Sequence, residues 1–247
     1  VKDDNKAHYL NKSWGIKWQW LAVQNENELP YNLFLNCTSL ESLVLPKTLT
    51  KMNARIFEGC SSLKKLAIPA SLQDYDTWDY LKGELDYPLE ELVFVTDKVA
   101  VSERNNPWGQ EIKVVYTKQS QLSDYMNQPY LTRSAQNVIA PFEDDAVMEA
   151  LAENGYFFPS QYTQRNNVEL IFNNNEKLKR FNDFNKFTGV RTLGNNSFSG
   201  CRNLKSISLP DSLQHIHFDA FQHCTSLDTI LINTDKVPVL EKYAFDD

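Results

Sequence analysis

The chain predicts a β-rich solenoid that steps every 23 residues, laid out as two tandem arrays with a small helical cap and linker between them. Two observations carry this. A twelve-residue phrase, Phe-x-x-Cys-x-x-Leu-x-x-Φ-x-Φ with Φ apolar, occurs at Phe34–Leu45, Phe57–Ile68, Phe198–Leu209 and Phe221–Ile232. Every cysteine lies inside it, and Cys37 precedes Cys60 by the same 23 residues that separate Cys201 from Cys224. Independently, Thr96-Asp-Lys-Val-Ala-Val101 and Thr234-Asp-Lys-Val-Pro-Val239 follow matching strands, a second sign of duplication. A fixed period with Leu-x-x-Leu-x-Leu inside it is the signature of a leucine-rich-repeat solenoid. Such a fold points to a binding surface rather than an active site.

Each copy reads mechanically. Leu-x-x-Φ-x-Φ is a short strand whose alternate side chains point into a core. Pro46, Pro69 and Pro210 follow three of these strands and turn the chain. Leu49, Leu72 and Leu213 then re-enter the core, followed by Met52, Tyr75 and Ile216. No copy has an amphipathic run of helical length, so the convex side is expected to consist of short strands, turns or 3₁₀ pieces.

The pattern reaches beyond the four copies. Trp18, Leu21 and Val23 read as a degenerate first copy, 22 residues before Leu40, Leu43 and Leu45. Leu89, Leu92 and Phe94 follow Leu63, Leu66 and Ile68 by 26, the extra residues falling in Tyr75–Pro88. In the second half, Phe181 and Phe184 are aligned with Leu204 and Ile207, a step of 23. Between the arrays, Ile112–Tyr116 is a strand, Ser120–Tyr130 a short helix and Leu131–Ala140 a polar linker. Glu143–Asn154 is an amphipathic helix with acids in its first turn, where the macrodipole favours them. The expected domains are a first array with its closing cap over 1–134, a helical lead-in over 135–180 and a second array over 181–247.

Bulk composition narrows the function. A hydrophobic content of 42% over 247 residues argues against disorder for most of the chain. The formal net charge is −7, and no Lys/Arg run exceeds the pair Lys64–Lys65, so neither a nucleic acid nor an anionic membrane surface is favoured as a partner. No run of 18 apolar residues is present, so no membrane-inserted helix is expected.

The repeat phrase resembles the BspA-type leucine-rich repeats of bacterial surface proteins. The residues that carry this are Phe57-x-x-Cys60-Ser-Ser-Leu63-x-x-Leu66-x-Ile68-Pro69 and Phe198-x-Gly-Cys201-x-x-Leu204-x-x-Ile207-x-Leu209-Pro210, and the likeness covers residues 29–102 and 181–245. Phe181–Val190 is similar to the opening coil of such arrays. Val115-Tyr116 with Leu122-Ser-Asp-Tyr125 is similar to the strand and helix that close them. The second array stops at Phe245-Asp-Asp247 without a closing segment, and Val1-Lys-Asp-Asp-Asn-Lys6 shows neither an initiator Met nor an apolar signal region; both read as a piece of a longer chain. Family arrays are sometimes preceded by a dockerin-like calcium loop, but Phe142–Phe172 has Asn154-Gly155 without the Asp-x-Asp-x-Asp-Gly oxygens a calcium ion needs. The resemblance implies export, an extracellular or cell-surface location, and binding of host or neighbouring-cell macromolecules, with a protein partner first and a glycan as the alternative. A structural spacer in a larger surface protein is a third reading.

Candidate chemistry is sparse. Strands ~4.8 Å apart would allow a Cys37–Cys60 or Cys201–Cys224 disulfide in an oxidising compartment; the favoured reading is a ladder of buried thiols acting as small apolar fillers. A spacing of 23 offers zinc two ligands at best. His215 and His217 flank the inward Ile216 and project outward as variable surface residues. Asp74-x-Asp76-x-x-Asp79 lacks the Gly and Glu of a calcium loop and reads as a solvated acidic loop. No nucleophile–base spacing or phosphate loop appears, so no catalytic residue, cofactor or metal is expected. Trp14, Trp18, Trp20 and Tyr9 form an N-terminal aromatic cluster that reads as a cap, while Trp78 and Tyr80 are the candidate sugar platform. The candidate binding face is the outward side of the strands: Ser42, Val44, Lys65, Ala67, Glu91, Val93 and Val95 in the first array, and Ser206, Ser208, Thr229 and Leu231 in the second. Val44, Ala67 and Val93 make a partly apolar row, expected to be exposed and therefore a possible interface.

Overall fold

The computed structural model describes residues 21–22, 27–29, 32–52, 56–72, 89–96, 112–128, 135–168, 170–233 and 237–246. They fall in two compact units, Val1–Ala140 and Pro141–Asp247.

The first unit is built on one all-parallel sheet. Its strands are β1 (Leu21–Ala22), β3 (Ser42–Val44), β5 (Lys65–Ile68), β6 (Leu89–Phe94), β7 (Ile112–Tyr116) and β8 (Ala135–Ile139), hydrogen-bonded in chain order. Leu21 pairs with Leu43, Leu43 with Leu66, Leu66 with Leu92, Leu92 with Val115 and Val115 with Val138. The steps are 22, 23, 26, 23 and 23, so the expected alignment of the first four strands holds. The alternating pattern is the cause: Leu40, Leu43, Leu45, Leu63, Leu66, Ile68, Leu89, Leu92 and Phe94 are all buried. Pro46 and Pro69 end their strands, and each carbonyl accepts from the leucine three residues on, Leu49 N–H at 2.9 Å and Leu72 N–H at 3.3 Å. A second, two-stranded parallel sheet pairs β2 (Glu28–Leu29) with β4 (Lys51–Met52).

Two readings need correction here. The stretch Leu131–Ala140, read as linker, contains β8, in register with β7. Its polar look comes from its place at the sheet edge, where only Ala135 and Val138 pack against the core. The first unit therefore runs to Ala140, past the boundary expected near residue 135. Between β7 and β8, a 3₁₀ turn (Gln119–Gln121) leads into α1 (Leu122–Met126), whose buried Tyr125 stacks on Phe94 at 5.0 Å.

The second unit opens with α2 (Asp145–Glu153) and α3 (Pro159–Tyr162). Ala146, Val147, Met148, Ala150 and Leu151 bury the apolar face of α2. Asp144 is its N-cap: Oδ1 accepts from Ala146 N–H (3.1 Å), while Oδ2 accepts from Lys179 and Arg180 N–H (2.7 and 2.9 Å). One carboxylate thus starts the helix and fixes it to β9 (Arg180–Phe181). Two small parallel sheets follow: β9, β11 (Ser206–Leu209) and β13 (Thr229–Ile232), then β10 (Thr192–Leu193), β12 (His215–Ile216) and β14 (Val239–Leu240).

Phe181 pairs with Ile207, a step of 26, and not with Leu204 as the spacing suggested. The misreading has a physical source. Phe181, Phe184 and Phe187 mimic the three-residue spacing of the strand phrase, but Asn182–Lys186 is a 3₁₀ helix, in which residues three apart share a side. The three rings close over the core with Phe142 and Tyr162. A further coil begins at Phe172, with Asn175 in the cysteine slot; Phe172 stacks on Phe198 at 5.3 Å.

Four of the coils turn at two left-handed residues placed two before and two after their Phe. Asn32 and Asn36 flank Phe34, Leu170 and Asn174 flank Phe172, Asn196 and Gly200 flank Phe198, and Asp219 and His223 flank Phe221, all with φ between 54° and 75°. These bends aim N–H groups at the next coil: Phe198 to Ala220 O (2.7 Å), Gly200 to Gln222 O (2.8 Å) and Phe221 to Ala244 O (2.8 Å).

Candidate binding face

The outward side of the first sheet carries two rows. Ser42, Lys65, Glu91, Val114 and Asn137 are register partners, as are Val44, Ala67, Val93, Tyr116 and Ile139. In the first row Ser42, Lys65, Glu91 and Val114 are half-buried and Asn137 is exposed. Lys65 Nζ and Glu91 form an ion pair across two strands, beside the more exposed chain of Lys64, Glu90 and Lys113 (3.8 and 3.5 Å). Burial, then the Glu91 carboxylate, pushes the Tyr116 phenol above its ordinary pKa, placing that ring in the same electrostatic neighbourhood.

The apolar row is not the exposed stripe that alternation suggested. Ala67 and Val93 are fully buried, and Val44 and Val95 are 6% and 5% exposed. Short side chains on interior strands have neighbours on both sides at ~4.8 Å, with Tyr116 directly opposite Val93, so little of their surface reaches water. The exposed apolar member of the row is Ile139, on the edge strand. Tyr116 was read from sequence only as part of the closing strand, and Asn137 and Ile139 were not assigned to the face; the signal was the 23-residue step from Val115 to Val138.

In the second unit, Arg180, Ser206 and Thr229 share a row, and Ser208 pairs with Leu231. Ser206 Oγ donates to Asn182 Oδ1 (3.1 Å), and Thr229 Oγ1 to Asp228 Oδ1 (2.7 Å). Arg180 pairs with Glu143 at 3.2 Å, and Glu143 also accepts from Asn182 Nδ2. Ser208 is buried, whereas Leu231 is 45% exposed. Trp78, Tyr80, the Asp74–Asp79 loop and the N-terminal aromatics lie outside the described residues.

The cysteines are buried thiols, none in a disulfide. They are donors as well as fillers: Cys60 Sγ donates to Phe34 O (3.1 Å), Cys201 to Phe172 O (2.9 Å) and Cys224 to Phe198 O (3.1 Å). Burial pushes Cys37 up to about 11, and the Cys224 thiol together with burial raises Cys201. Such thiols are poor nucleophiles.

His215 is exposed, and His217 Nδ1 meets Glu241 Oε1 at 2.8 Å, joining β12 to the coil of β14. Phe218 N–H, and then His217, hold the Glu241 carboxyl below its usual range. Among the described residues no group of three His, Cys, Asp or Glu side chains is placed to hold a metal ion. No helix among them is long and apolar enough to cross a membrane.

The model of the BspA type leucine-rich repeat region matches residues 23–81 and 168–247, in six copies. The chain belongs to the BspA-type leucine-rich repeat family. Its second matched stretch begins ahead of Phe172, which agrees with a repeat coil there that lacks the cysteine. No curated protein matches the chain. Similar solved structures include a leucine-rich repeat protein from Bacteroides ovatus, 18% identical, covering 88% of this chain and 46% of that one at a TM-score of 0.24. Another is a leucine-rich repeat protein from T. pallidum, 15% identical, covering 87% and 71% at 0.26. A third is a leucine-rich cell surface protein from Faecalibacterium prausnitzii, 12% identical, covering 92% and 82% at 0.18. The chain thus spans about half the length of the Bacteroides ovatus protein. In this BspA-type chain the strands β6, β7 and β8, which complete the outward rows, lie outside the matched stretches.

Proposed function

We propose that this chain is a non-catalytic, adhesin-like repeat protein, secreted or displayed on a bacterial surface, that binds a protein partner through the outward strand face of its first unit. In this reading the two units are tandem arrays of coils with a basic step of 23. The observation that supports it most is the in-register row Ser42–Lys65–Glu91–Val114–Asn137, flanked by Tyr116 and Ile139 of the neighbouring row, with Ile139 on the edge strand. Five strands at fixed spacing form a rigid platform, and the row offers paired charge, amide, phenol and one exposed aliphatic side chain. Tyrosine-bearing mixed surfaces of this kind suit a protein partner. Family membership supports the non-catalytic class and the surface location.

The test is capture of purified host extracellular-matrix proteins and of a glycan array by the whole chain, alongside Asn137→Arg/Ile139→Asp. Both altered side chains are at the sheet edge and exposed, so the fold is retained. Protein capture lost in the double variant supports the face. Capture of glycans alone, or protein capture unchanged in the variant, overturns it.

A further inference from the structure

We propose that His215 and His217 on β12 form a bidentate site for a divalent late transition-metal ion, copper(II) before any other, with Glu241 holding one of the two rings in place. The site lies in the second unit and rests on features separate from the strand face of the first.

β12 is an interior strand of its sheet, with β10 on one side and β14 on the other. Ile216 points inward and is 1% exposed, so the residues before and after it both leave on the outward face. His215 is exposed there and His217 is half-buried. Their rings lie side by side, 6.1 Å between centres and with planes 22° apart. Glu241 fixes the second ring. Its Oε1 meets His217 Nδ1 at 2.8 Å, and its Oε2 accepts from Phe218 N–H at 3.0 Å. A carboxylate only accepts, so His217 carries its proton on Nδ1, and in the neutral ring Nε2 keeps a bare lone pair. A carboxylate placed in this way orients a metal-binding histidine and raises its basicity. His217 Nε2 and both nitrogens of His215 have no partner among the described residues. On the β10 side the register sets Thr192 beside His215 and, one step on, Gly194 beside His217, so no bulky side chain stands over the second ring.

The spacing suits chelation. With metal–nitrogen bonds of ~2.0–2.1 Å, two imidazoles in neighbouring positions of one ion place their ring centres roughly 4.5–5 Å apart. Rotation of the exposed His215 side chain between staggered positions closes the remaining ~1–1.5 Å. Only two ligands come from the chain, and Glu241 orients without coordinating, in keeping with the lack of a three-residue metal group among the described residues. Two nitrogens with water in the other positions make a tetragonal N/O set. Copper(II) and nickel(II) prefer that set, and copper(II) stands highest in affinity among the divalent ions of the series. Zinc in a closed tetrahedral site needs more protein ligands, and calcium and magnesium need oxygen.

Isothermal titration calorimetry of the whole chain with copper(II), and with nickel(II) and magnesium in separate runs, tests this. A micromolar copper site is expected, weaker for nickel and absent for magnesium. His215→Ala/His217→Ala should bind one copper fewer per chain, and the parent-minus-variant paramagnetic resonance spectrum should show two coupled nitrogens. Glu241→Ala should weaken this site roughly 10–100-fold, and Glu241→Gln, which keeps an acceptor for the Nδ1 proton, by less. Circular dichroism checks that each variant is folded. His215→Ala alone, which removes an exposed ring with no hydrogen bond to lose, serves if the double variant fails to fold. A parent that binds no copper overturns the proposal. So does copper binding that is unchanged in a folded histidine variant, or a difference spectrum with fewer than two nitrogens. Equal affinity in the parent and Glu241→Ala overturns the orienting role of the carboxylate.

Discussion

Phe198→Ala tests whether the aromatic ladder holds the second unit together. The ring is fully buried between Phe172 (5.3 Å, 5° from parallel) and Phe221 (5.2 Å, 4°), with Phe181 and Phe184 edge-on at 6.2 and 5.6 Å. Truncating a buried Phe to Ala costs about 3–5 kcal/mol, the transfer term plus the cavity left behind. Here neighbours pack all round the ring and two stacks are lost, each contributing about 0.5–1.5 kcal/mol beyond area. The upper part of the range, about 4–5 kcal/mol, is therefore expected. Phe245→Ala is the internal control. Its ring is 41% exposed and among the described rings stacks on Phe221 alone, at 5.0 Å, so about 1–2 kcal/mol is expected from partial burial and one stack. Urea unfolding followed by circular dichroism gives both costs, and thermal melts should show a shift of about 4–8 °C per kcal/mol for a unit of this size. A double-mutant cycle on Phe198 and Phe221 isolates the stack, with coupling of about 0.5–1.5 kcal/mol expected. A Phe198→Ala cost below about 2 kcal/mol, or one no larger than that of Phe245→Ala, would refute the ladder.

Gly200→Ala should cost about 1–2 kcal/mol for the left-handed backbone at φ 75°, and more because the new methyl meets the Asn174 side chain; Asn174→Gly in the same molecule should recover the second part, and a neutral Gly200→Ala in urea melts would sink the bend reading. Asp144→Ala should cost roughly 2–4 kcal/mol, since it removes a helix cap and strands two further N–H groups; Asp144→Asn should cost less, and equal costs would argue against the shared-cap role. Cys37 gives a pH dependence with a definite sign. Its folded pKa of about 11 lies above the ordinary 9.0, so its contribution is fully present below pH 9 and is lost as pH rises from 9 to 11. Urea midpoints on either side of that window should fall less in Cys37→Ala than in the parent, and an identical fall in both would exclude the thiol. Iodoacetamide at about pH 8 should label the cysteines only on unfolding; rapid labelling of the native chain would contradict their burial.

The repeat was legible because its physics is local. A strand of four residues that buries every second side chain must write Leu-x-x-Leu-x-Leu, and the proline that ends it must follow at once. The thiol position was legible as a packing slot, but its hydrogen bond was not, because the acceptor is a carbonyl 26 residues away, as for Cys60 and Phe34. The coil at Phe172 was missed because Asn175 replaces the cysteine and the step to the next coil is 26 rather than 23. It carried a second signal all the same. Asn32, Asn36, Gly59, Asn174, Asn196, Gly200 and Asp219 sit two residues from a Phe, and Asn, Gly and Asp are the residues that tolerate a left-handed bend. Reading the bend as well as the strand would have placed that coil.

The candidate face was legible in direction but not in exposure. Period-2 alternation says which side chains leave the core, and it named Ser208 and Leu231 alike. The two are register partners one coil apart, yet one is 3% exposed and the other 45%. The difference lies in the neighbours: among the described residues β11 has a strand on each side, and β13 has one. The same rule separates buried Ala67 and Val93 from exposed Ile139 in the first sheet. In a parallel stack, short outward side chains reach water only where the stack is open, and interior positions reach it only through long or charged ones such as Lys65 and Glu91. In the binding role proposed for the first unit, the surface on offer is therefore the row of long polar side chains together with Ile139 on its edge strand.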